Sequence, residues 1–275
     1  MPYQTVKVDR EDQVTWVTLN RPEKKNAMNP QLNSDMVECL TELESDDATR
    51  VVVLTGAGDS WSAGMDLREY FRALDNDPSN AMKARWATRT WTHFKLKMFP
   101  KPTIAAVNGW CFGGAFTPLI SCDFAVAADT ATFGLSEVNW GIFPGGLVSK
   151  DLSLAMSYRD ALYYTLTGKN FSAERAREMG LVNEVVPKDR LHDAVMELAN
   201  DLKKLNPYVL RAAKEALRTC WNMDYEQAEE YLRAKGDQLR FRDPEQGRAR
   251  GMQQFLDEKR FRPGLSPYIR EGAAS

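Results

Sequence analysis

Residues 101–117 read Lys101-Pro102-Thr103-Ile104-Ala105-Ala106-Val107-Asn108-Gly109-Trp110-Cys111-Phe112-Gly113-Gly114-Ala115-Phe116-Thr117. The β-branched and small apolar run Thr103 to Val107 predicts a strand buried on both faces, and Asn108-Gly109 predicts a turn after it. An apolar helix is expected from Ala115 to Ser121. Gly113 and Gly114 precede it and lack the Cβ atoms that would keep another molecule away. Because the first turn of a helix has unpaired N–H groups, this junction could hold a developing oxyanion, although small residues also serve packing alone.

The composition is that of an ordinary globular protein. The chain has 275 residues, 36 of them basic and 38 acidic, with a formal net charge of -2. This balance gives no electrostatic reason to expect nucleic acid or an acidic membrane surface as a partner. The sequence has few residues suited to metal ligation or to Cys/His nucleophilic catalysis, since there are two histidines and no Cys-x-x-Cys spacing. Without a membrane-length apolar run or a secretory leader, we expect a soluble, cytoplasmic protein.

The first half of the chain predicts a strand, a helix and a strand in a parallel crossover. A hairpin of Val6 to Val8 and Val14 to Leu19, around Arg10-Glu11-Asp12, comes first. Asn29-Pro30 predicts a helix start, and Arg50 to Thr55 a buried strand. From Lys150 onward helical periodicity dominates. We therefore expect a strand-and-helix core followed by an all-helical portion, and we find no internal repeat.

Two further stretches carry candidate chemistry. Ser62 to Leu67 is a second turn of small residues that opens a helix, or simply caps one. The segment Phe133 to Gly146 contains one carboxylate, Glu137, among apolar neighbours that include Trp140. If Glu137 points into those neighbours, desolvation should raise its pKa towards neutrality, as general acid/base catalysis requires. The competing interpretation is a solvated loop glutamate.

Several motifs together resemble the crotonase, or enoyl-CoA hydratase/isomerase, superfamily, from Val14 to at least Pro263. Within it the chain is most similar to hydroxycinnamoyl-CoA (feruloyl-CoA) hydratase-lyases. The motifs that carry the resemblance are Asn20-Arg21-Pro22 with Asn26-Ala27-Met28, Ala63-Gly64-Met65-Asp66-Leu67, Asn108-Gly109-Trp110-Cys111-Phe112-Gly113-Gly114 and Leu135-Ser136-Glu137-Val138-Asn139-Trp140-Gly141.

The resemblance implies an α/β fold, a crotonase-like spiral of ββα repeats followed by a C-terminal all-helical trimerisation region. We expect the spiral core in residues 1–200. Residues 201–275 would pack on a neighbouring subunit, in a homotrimer or a dimer of trimers.

The resemblance also assigns site residues. The backbone N–H groups of Met65 and Gly114 would form the oxyanion hole, and Glu137 would be the catalytic acid/base. Simple hydratases carry a second catalytic glutamate, and Thr117 stands at the matching position here. The remaining substrate-binding candidates are Ala63, Asp66 and Leu67 near the adenine of coenzyme A, Ala27 alongside them, Tyr70 and Arg233 near the acyl end, and Phe143 and Trp140 at the acyl pocket.

Arg233 and Phe143 depart from the pattern of the resembling enzymes. A tyrosine is expected in place of Arg233, and a proline in place of Phe143. Arginine could hold a phenolate or a carboxylate, or it could point into solvent. These two residues therefore bear on the choice of substrate more than on the type of reaction.

The reaction that the resemblance implies is hydration of a 4-hydroxycinnamoyl-type CoA thioester, then retro-aldol cleavage to a vanillin-type aldehyde and acetyl-CoA. No metal and no cofactor beyond the coenzyme A of the substrate are expected. The alternatives are a simple enoyl-CoA hydratase, a lyase for a carboxylate-bearing enoyl-CoA, and a crotonase-like binding or RNA-associated protein without activity.

Overall fold

The computed structural model describes residues 3–260 and 266–270. Pro263, the end point of the sequence resemblance, lies outside the described residues. Residues 1–2 of the predicted core and residues 261–265 and 271–275 of the predicted C-terminal region also lie outside them. Packing divides the chain into two compact units. The first consists of Met1–Phe99 and Thr103–Glu197, and the second of Pro100–Pro102 and Leu198–Ser275.

The larger sheet of the first unit begins with a hairpin. Its strands pair antiparallel, with Val8 opposite Val17. The turn lies at Asp12 and Gln13, which have φ values of +43° and +65°, so it comes later than the predicted turn at residues 10–12. The sheet has the order β1-β2-β3-β5-β7-β10. Its strands are β1 (Val6–Glu11), β2 (Val14–Leu19), β3 (Val51–Gly56), β5 (Thr103–Val107), β7 (Phe124–Ala128) and β10 (Glu184–Val186).

The strand β5 occupies the middle of this sheet. It pairs parallel with β3 on one side and with β7 on the other. All five of its residues are buried, which confirms the prediction of a strand covered on both faces. Because parallel strands need connections that cross over the sheet, helices cover the faces and the carboxyl ends of the strands gather at one edge.

A smaller sheet has the order β4-β6-β8-β9. Its strands are β4 (Ser60–Ser62), β6 (Trp110–Phe112), β8 (Thr132–Gly134) and β9 (Asn170–Ser172). The prediction that the chain is all-helical after Lys150 is wrong, because β9 and β10 both follow that residue. Three-residue strands carry too little periodicity to stand out from turns in a sequence.

The helix α1 shows how local sequence fixes the helix starts. The Asn29 side chain accepts a hydrogen bond from the Leu32 amide, and Pro30 occupies the first helical position, as predicted. Leu32, Met36 and Leu40 bury one face of α1 in the core. The helices are α1 (Pro30–Ser45), α2 (Pro78–Arg89), α3 (Phe116–Ser121), α4 (Val148–Ala155), α5 (Tyr158–Thr167), α6 (Ala173–Glu178), α7 (Leu191–Lys204), α8 (Pro207–Cys220), α9 (Tyr225–Arg242) and α10 (Gly247–Met252).

The second unit is held together by polar contacts among its helices and its tail. Asn206 caps α8 and donates to the Asp243 carboxylate and to the Tyr268 hydroxyl. The Arg270 guanidinium pairs with Glu245 and donates to the carbonyl oxygen of Leu205. None of the helices in the described ranges combines the length and the apolar character needed to cross a membrane.

Candidate active site

Three backbone segments of the first unit meet at the end of the smaller sheet. The Met28 amide donates to the Gly64 carbonyl oxygen at 2.7 Å, and the Asp66 amide donates to the Met28 carbonyl oxygen at 3.0 Å. These two bonds make an isolated parallel bridge between Met28 and Met65. The loop that contains Ala27 therefore fixes the conformation of the loop that contains Met65.

The Met65 and Gly114 amides lie close together. An ideal Cβ on Gly114 would lie 3.5 Å from the Met65 nitrogen, and one on Gly64 would lie 3.0 Å from the Gly114 nitrogen and 2.5 Å from the Phe112 carbonyl oxygen. Gly64 also has a φ of +85°, so this close approach of two backbones requires glycine there. Within the described residues, neither amide donates to a protein oxygen. Two adjacent free donors of this kind can share one developing oxyanion.

Glu137 lies on a 3₁₀ turn from Ser136 to Trp140 that follows β8. An ideal Cβ on Gly113 would lie 2.9 Å from Glu137 Oε1 and 3.6 Å from Oε2. In the part of the chain that the structure describes, Oε2 is buried and has no hydrogen-bond partner. Burial raises the pKa of Glu137, although a backbone hydrogen bond opposes the shift. A carboxylate of this kind can accept and return a proton near neutral pH.

A cavity of about 670 Å³ opens in front of these groups. Its lining includes most of the residues that the sequence predicted for the acyl group, namely Glu137, Met65, Gly114, Thr117, Tyr70, Trp140 and Phe143. Thr117 is buried on α3, whereas Trp140 and Phe143 are 66% and 76% exposed. The apolar surround predicted for Glu137 is therefore partly open to solvent in this chain.

A second cavity, of about 590 Å³, shares Met65 with the first in its lining. Ala27, Asp66 and Leu67, which were predicted to lie near coenzyme A, line it. Lys24 and Arg68 supply positive charge there. The residues that line both cavities are Ala63, Met65, Leu67, Ser136 and Trp140.

The Asp66 carboxylate makes contacts within the protein. It accepts from the amides of Arg68 at 3.0 Å and Glu69 at 2.8 Å, and from Arg21 Nη1 at 3.0 Å. Arg21 is buried and also donates to the carbonyl oxygen of Ala27 at 2.6 Å. Burial alone would raise the pKa of Asp66, but these hydrogen bonds and the Arg21 charge outweigh it and lower the pKa.

Sequence analysis missed the contribution of one helix to the first cavity, the candidate site for the acyl group. Arg85, Thr88 and Arg89 on α2, and Thr92 just after it, line this cavity. Their spacing of i, i+3, i+4 and i+7 was available in the sequence. Charged residues at that spacing usually mark a solvated face, so the pattern did not stand out.

Arg233 lies on α9 in the second unit, with an exposed side chain. Its predicted contact with the substrate stays a prediction. Across the described residues, His, Cys, Asp and Glu side chains do not gather in groups of three or more that could hold a metal ion.

The fold and the paired amides beside a desolvated acid define the class of protein. The chain belongs to the enoyl-CoA hydratase/isomerase family, whose sequence profile matches residues 9–263. The crotonase fold predicted from the sequence is confirmed. A solved enoyl-CoA hydratase from Bacillus anthracis aligns with a TM-score of 0.83 and 31% identity, covering 93% of this chain and 97% of that one.

Two relatives align with most of the chain. The hydroxycinnamoyl-CoA hydratase-lyase of Pseudomonas fluorescens is 54% identical over 269 residues, which is 98% of each chain. A probable enoyl-CoA hydratase of Mycobacterium bovis is 36% identical over 217 residues, covering 79% of this chain and 82% of its own length.

Proposed function

We propose that the protein is a hydratase-lyase for 4-hydroxycinnamoyl-type CoA thioesters. The observation that carries the proposal is the Glu137 carboxylate, desolvated and beside the two free amides, as the single acid among the described residues that line the acyl cavity. Thr117, at the position where simple hydratases carry a second glutamate, also lines that cavity. Identity of 54% along 98% of the chain to a hydroxycinnamoyl-CoA hydratase-lyase supports the same conclusion.

The first half of the proposed cycle is hydration. The thioester oxygen accepts hydrogen bonds from the amides of Met65 and Gly114. Glu137 takes one proton from a water molecule whose oxygen bonds to Cβ, and the electron pair of the double bond moves onto the thioester as an enolate. The protonated Glu137 then delivers that proton to Cα. Each amide could lower the barrier by about 3 kcal/mol, because the charge develops in a preorganised site.

The second half is cleavage. Glu137, ionised again, takes the proton of the new β-hydroxyl group while the bond between Cα and Cβ breaks. The β-carbon leaves as an aromatic aldehyde, and the bonding pair becomes the enolate of acetyl-CoA. Glu137 returns the proton to that enolate. Since the thioester enolate accepts the electrons in both halves, the proposed cycle uses no metal and no cofactor beyond the coenzyme A of the substrate.

The proposal extends to the surroundings of the reaction. Coenzyme A would occupy the second cavity, where Lys24 and Arg68 can bind its phosphates.

The enzyme would act in the cytoplasm as a homotrimer or a dimer of trimers, with the helical C-terminal region of each chain packed on its neighbour. Sedimentation would test the oligomeric state.

Product analysis tests the proposed reaction. The protein is incubated with coumaroyl-CoA, feruloyl-CoA and crotonyl-CoA, and the aldehyde, acetyl-CoA and 3-hydroxyacyl-CoA are quantified. We expect aldehyde and acetyl-CoA in equal amounts from the first two thioesters. Accumulation of 3-hydroxyacyl-CoA alone would identify a simple hydratase instead.

A substitution separates catalysis from binding. Glu137→Ala should abolish turnover and leave thioester binding largely intact, because the acid reacts with the substrate and does not anchor it. Protection of this variant against thermal unfolding by coumaroyl-CoA would verify binding. If the variant turned over as fast as the parent, the assignment of Glu137 would be wrong.

A further inference from the structure

The helix α2 has two faces of opposite character. Its buried face consists of Ala81, Ala84 and Ala87. Its other face presents polar residues at i, i+3, i+4 and i+7 to the acyl cavity: Arg85, Thr88, Arg89 and Thr92. We call these four residues the α2 stripe.

The two arginines have no anionic partner of their own. Within the described residues, Arg85 and Arg89 form no ion pair and no hydrogen bond with another side chain, and both side chains are exposed to solvent. Arg89 stacks over the Phe94 ring, with its Cζ atom 5.0 Å from the ring centroid. Glu137 is the single acid among the described residues of the cavity lining, so the cavity carries an excess of positive charge.

The stripe lies on the acyl side of the site. Residues that line both cavities, including Met65, mark the place of the thioester. The residues of the stripe line only the first cavity, whereas Lys24 and Arg68 line only the second. A thioester held at Met65 with its coenzyme A in the second cavity would therefore extend its acyl group towards the stripe.

Tyr70 joins the stripe to the rest of the cavity. Thr88 Oγ1 donates to the Tyr70 hydroxyl at 3.3 Å, and Thr92 Oγ1 donates to the Thr88 carbonyl oxygen at 2.7 Å. Arg85 precedes Thr88 by three positions and Arg89 follows it by one. Because the threonine hydroxyl hydrogens are engaged in bonds within the protein, the two guanidinium groups are the donors that the α2 stripe offers to a ligand.

We propose that Arg85 and Arg89 bind an anionic oxygen at the far end of the acyl group, which makes the preferred substrates arylacryloyl-CoA thioesters with an acidic oxygen on the ring. This inference rests on the proposed function for the position of the thioester. A phenolate and a carboxylate share the required chemistry, since guanidinium binds either through charge-assisted hydrogen bonds. The Tyr70 hydroxyl adds a donor for the same oxygen.

The test measures binding without turnover. In a Glu137→Gln background, calorimetry gives the Kd of 4-hydroxycinnamoyl-CoA, 4-carboxycinnamoyl-CoA and unsubstituted cinnamoyl-CoA. Adding Arg85→Gln and Arg89→Gln should weaken the preferred acidic ligand about tenfold or more, and leave cinnamoyl-CoA within about twofold. The acidic ligand that loses more affinity carries the type of oxygen, phenolate or carboxylate, that the two arginines bind.

A spectroscopic measurement adds a second readout. The phenolate of 4-hydroxycinnamoyl-CoA absorbs at longer wavelength than the phenol, so a pH titration of the bound ligand reports its ionisation. Two facing cations should lower the apparent pKa of the bound phenol by about one unit or more, and the double glutamine variant should restore it. The matched control is Arg159→Gln, an exposed arginine on α5 that lines neither cavity.

Two results would overturn the inference. One is equal loss of affinity for all three thioesters, which would place the arginines against coenzyme A. The other is no loss for any of them. Both are independent of the proposed reaction, because aldehyde release by the parent protein decides that question while binding to the Glu137→Gln variant decides this one.

Discussion

The Glu137 carboxyl group fills the space in which a side chain on Gly113 would begin. A Cβ atom on Gly113 would lie 2.9 Å from Oε1 and 3.3 Å from Cδ of Glu137. Gly114, the next residue, supplies one of the two free amides. The absence of a side chain at Gly113 therefore lets the acid lie close to the candidate oxyanion site.

Gly113→Ala should therefore impair catalysis, in addition to the loss of stability that alanine causes at a φ of +52°. The methyl group would displace the Glu137 carboxyl, and we expect kcat to fall about 100-fold, as misplacement of a reacting group by about 1 Å typically causes. Steady-state kinetics with coumaroyl-CoA measures the effect. Gly180→Ala is the matched control, because Gly180 also has a positive φ, of +81°. Beyond its chain neighbours, an ideal Cβ there would lie no closer than 3.7 Å to any described atom, the nearest being the carbonyl oxygen of Ala155. This control variant should lose stability and keep its kcat; equal kcat losses in both variants would contradict the role of the contact.

The buried charge of Glu137 should also lower the stability of the fold. Burial raises its pKa, so the folded state binds the proton more tightly than the unfolded chain does. Stability then decreases as the pH rises from the unfolded pKa, about 4.3, through the folded one. Glu137→Gln should melt at a higher temperature than the parent at pH 7 to 8, and the difference should vanish near pH 4. Glu38→Gln is the matched control, because it makes the same substitution at an exposed position on α1.

The raised pKa of Glu137 should also set the pH dependence of kcat/KM. Glu137 must be ionised to accept a proton from water, and burial raises its pKa above the ordinary range. The acid limb of kcat/KM should therefore lie above the ordinary glutamate value of about 4.3 and should disappear from any residual activity of Glu137→Gln. A limb near pH 4 in the parent, or the same limb in the variant, would assign the titration to another group.

Much of the fold was predictable because local patterns agreed with the tertiary structure. The run Thr103 to Val107 is continuous and apolar, as a strand buried on both faces requires. The cap at Asn29-Pro30 fixed the start of α1. The strands β4 and β6 were not predicted, since segments of three residues leave no measurable periodicity.

The candidate site was predictable only in part, for a physical reason. The sequence resemblance named Met65, Gly114 and Glu137 as candidates, and all three line one cavity; their catalytic roles stay predictions. The buried pairing of Arg21 with Asp66 joins residues 45 positions apart, and no local pattern reports so distant a contact. The α2 stripe escaped notice because arginines at helical spacing predict a solvated face. Arg85 and Arg89 are indeed exposed, and only the tertiary structure shows that they also line a cavity.

The ion pair of Arg21 and Asp66 supports the loop that carries the Met65 amide. Both side chains are less than a tenth exposed, and the nitrogen–oxygen distance is 3.0 Å. Asp66→Asn removes one charge, while Arg21 keeps its ion pair with Glu69 at 2.8 Å. We therefore expect a loss of about 2 kcal/mol in the free energy of unfolding. Since the pKa of Asp66 is lowered, this loss should be full at neutral pH and shrink as the pH falls through about 4 and below.

Kinetics of Asp66→Asn distinguish support of the oxyanion loop from direct contact with coenzyme A, the role that the sequence resemblance implies. If the carboxylate positions Met65, kcat should fall roughly tenfold, because the Met65 amide would no longer be aligned with the oxygen of the developing enolate. A rise in KM alone, with stability and kcat unchanged, would instead place Asp66 against the coenzyme. Asp59→Asn is the control, since Asp59 pairs with Lys25 at 2.6 Å but is 66% exposed. An exposed pair contributes little, so this variant should match the parent in both measurements.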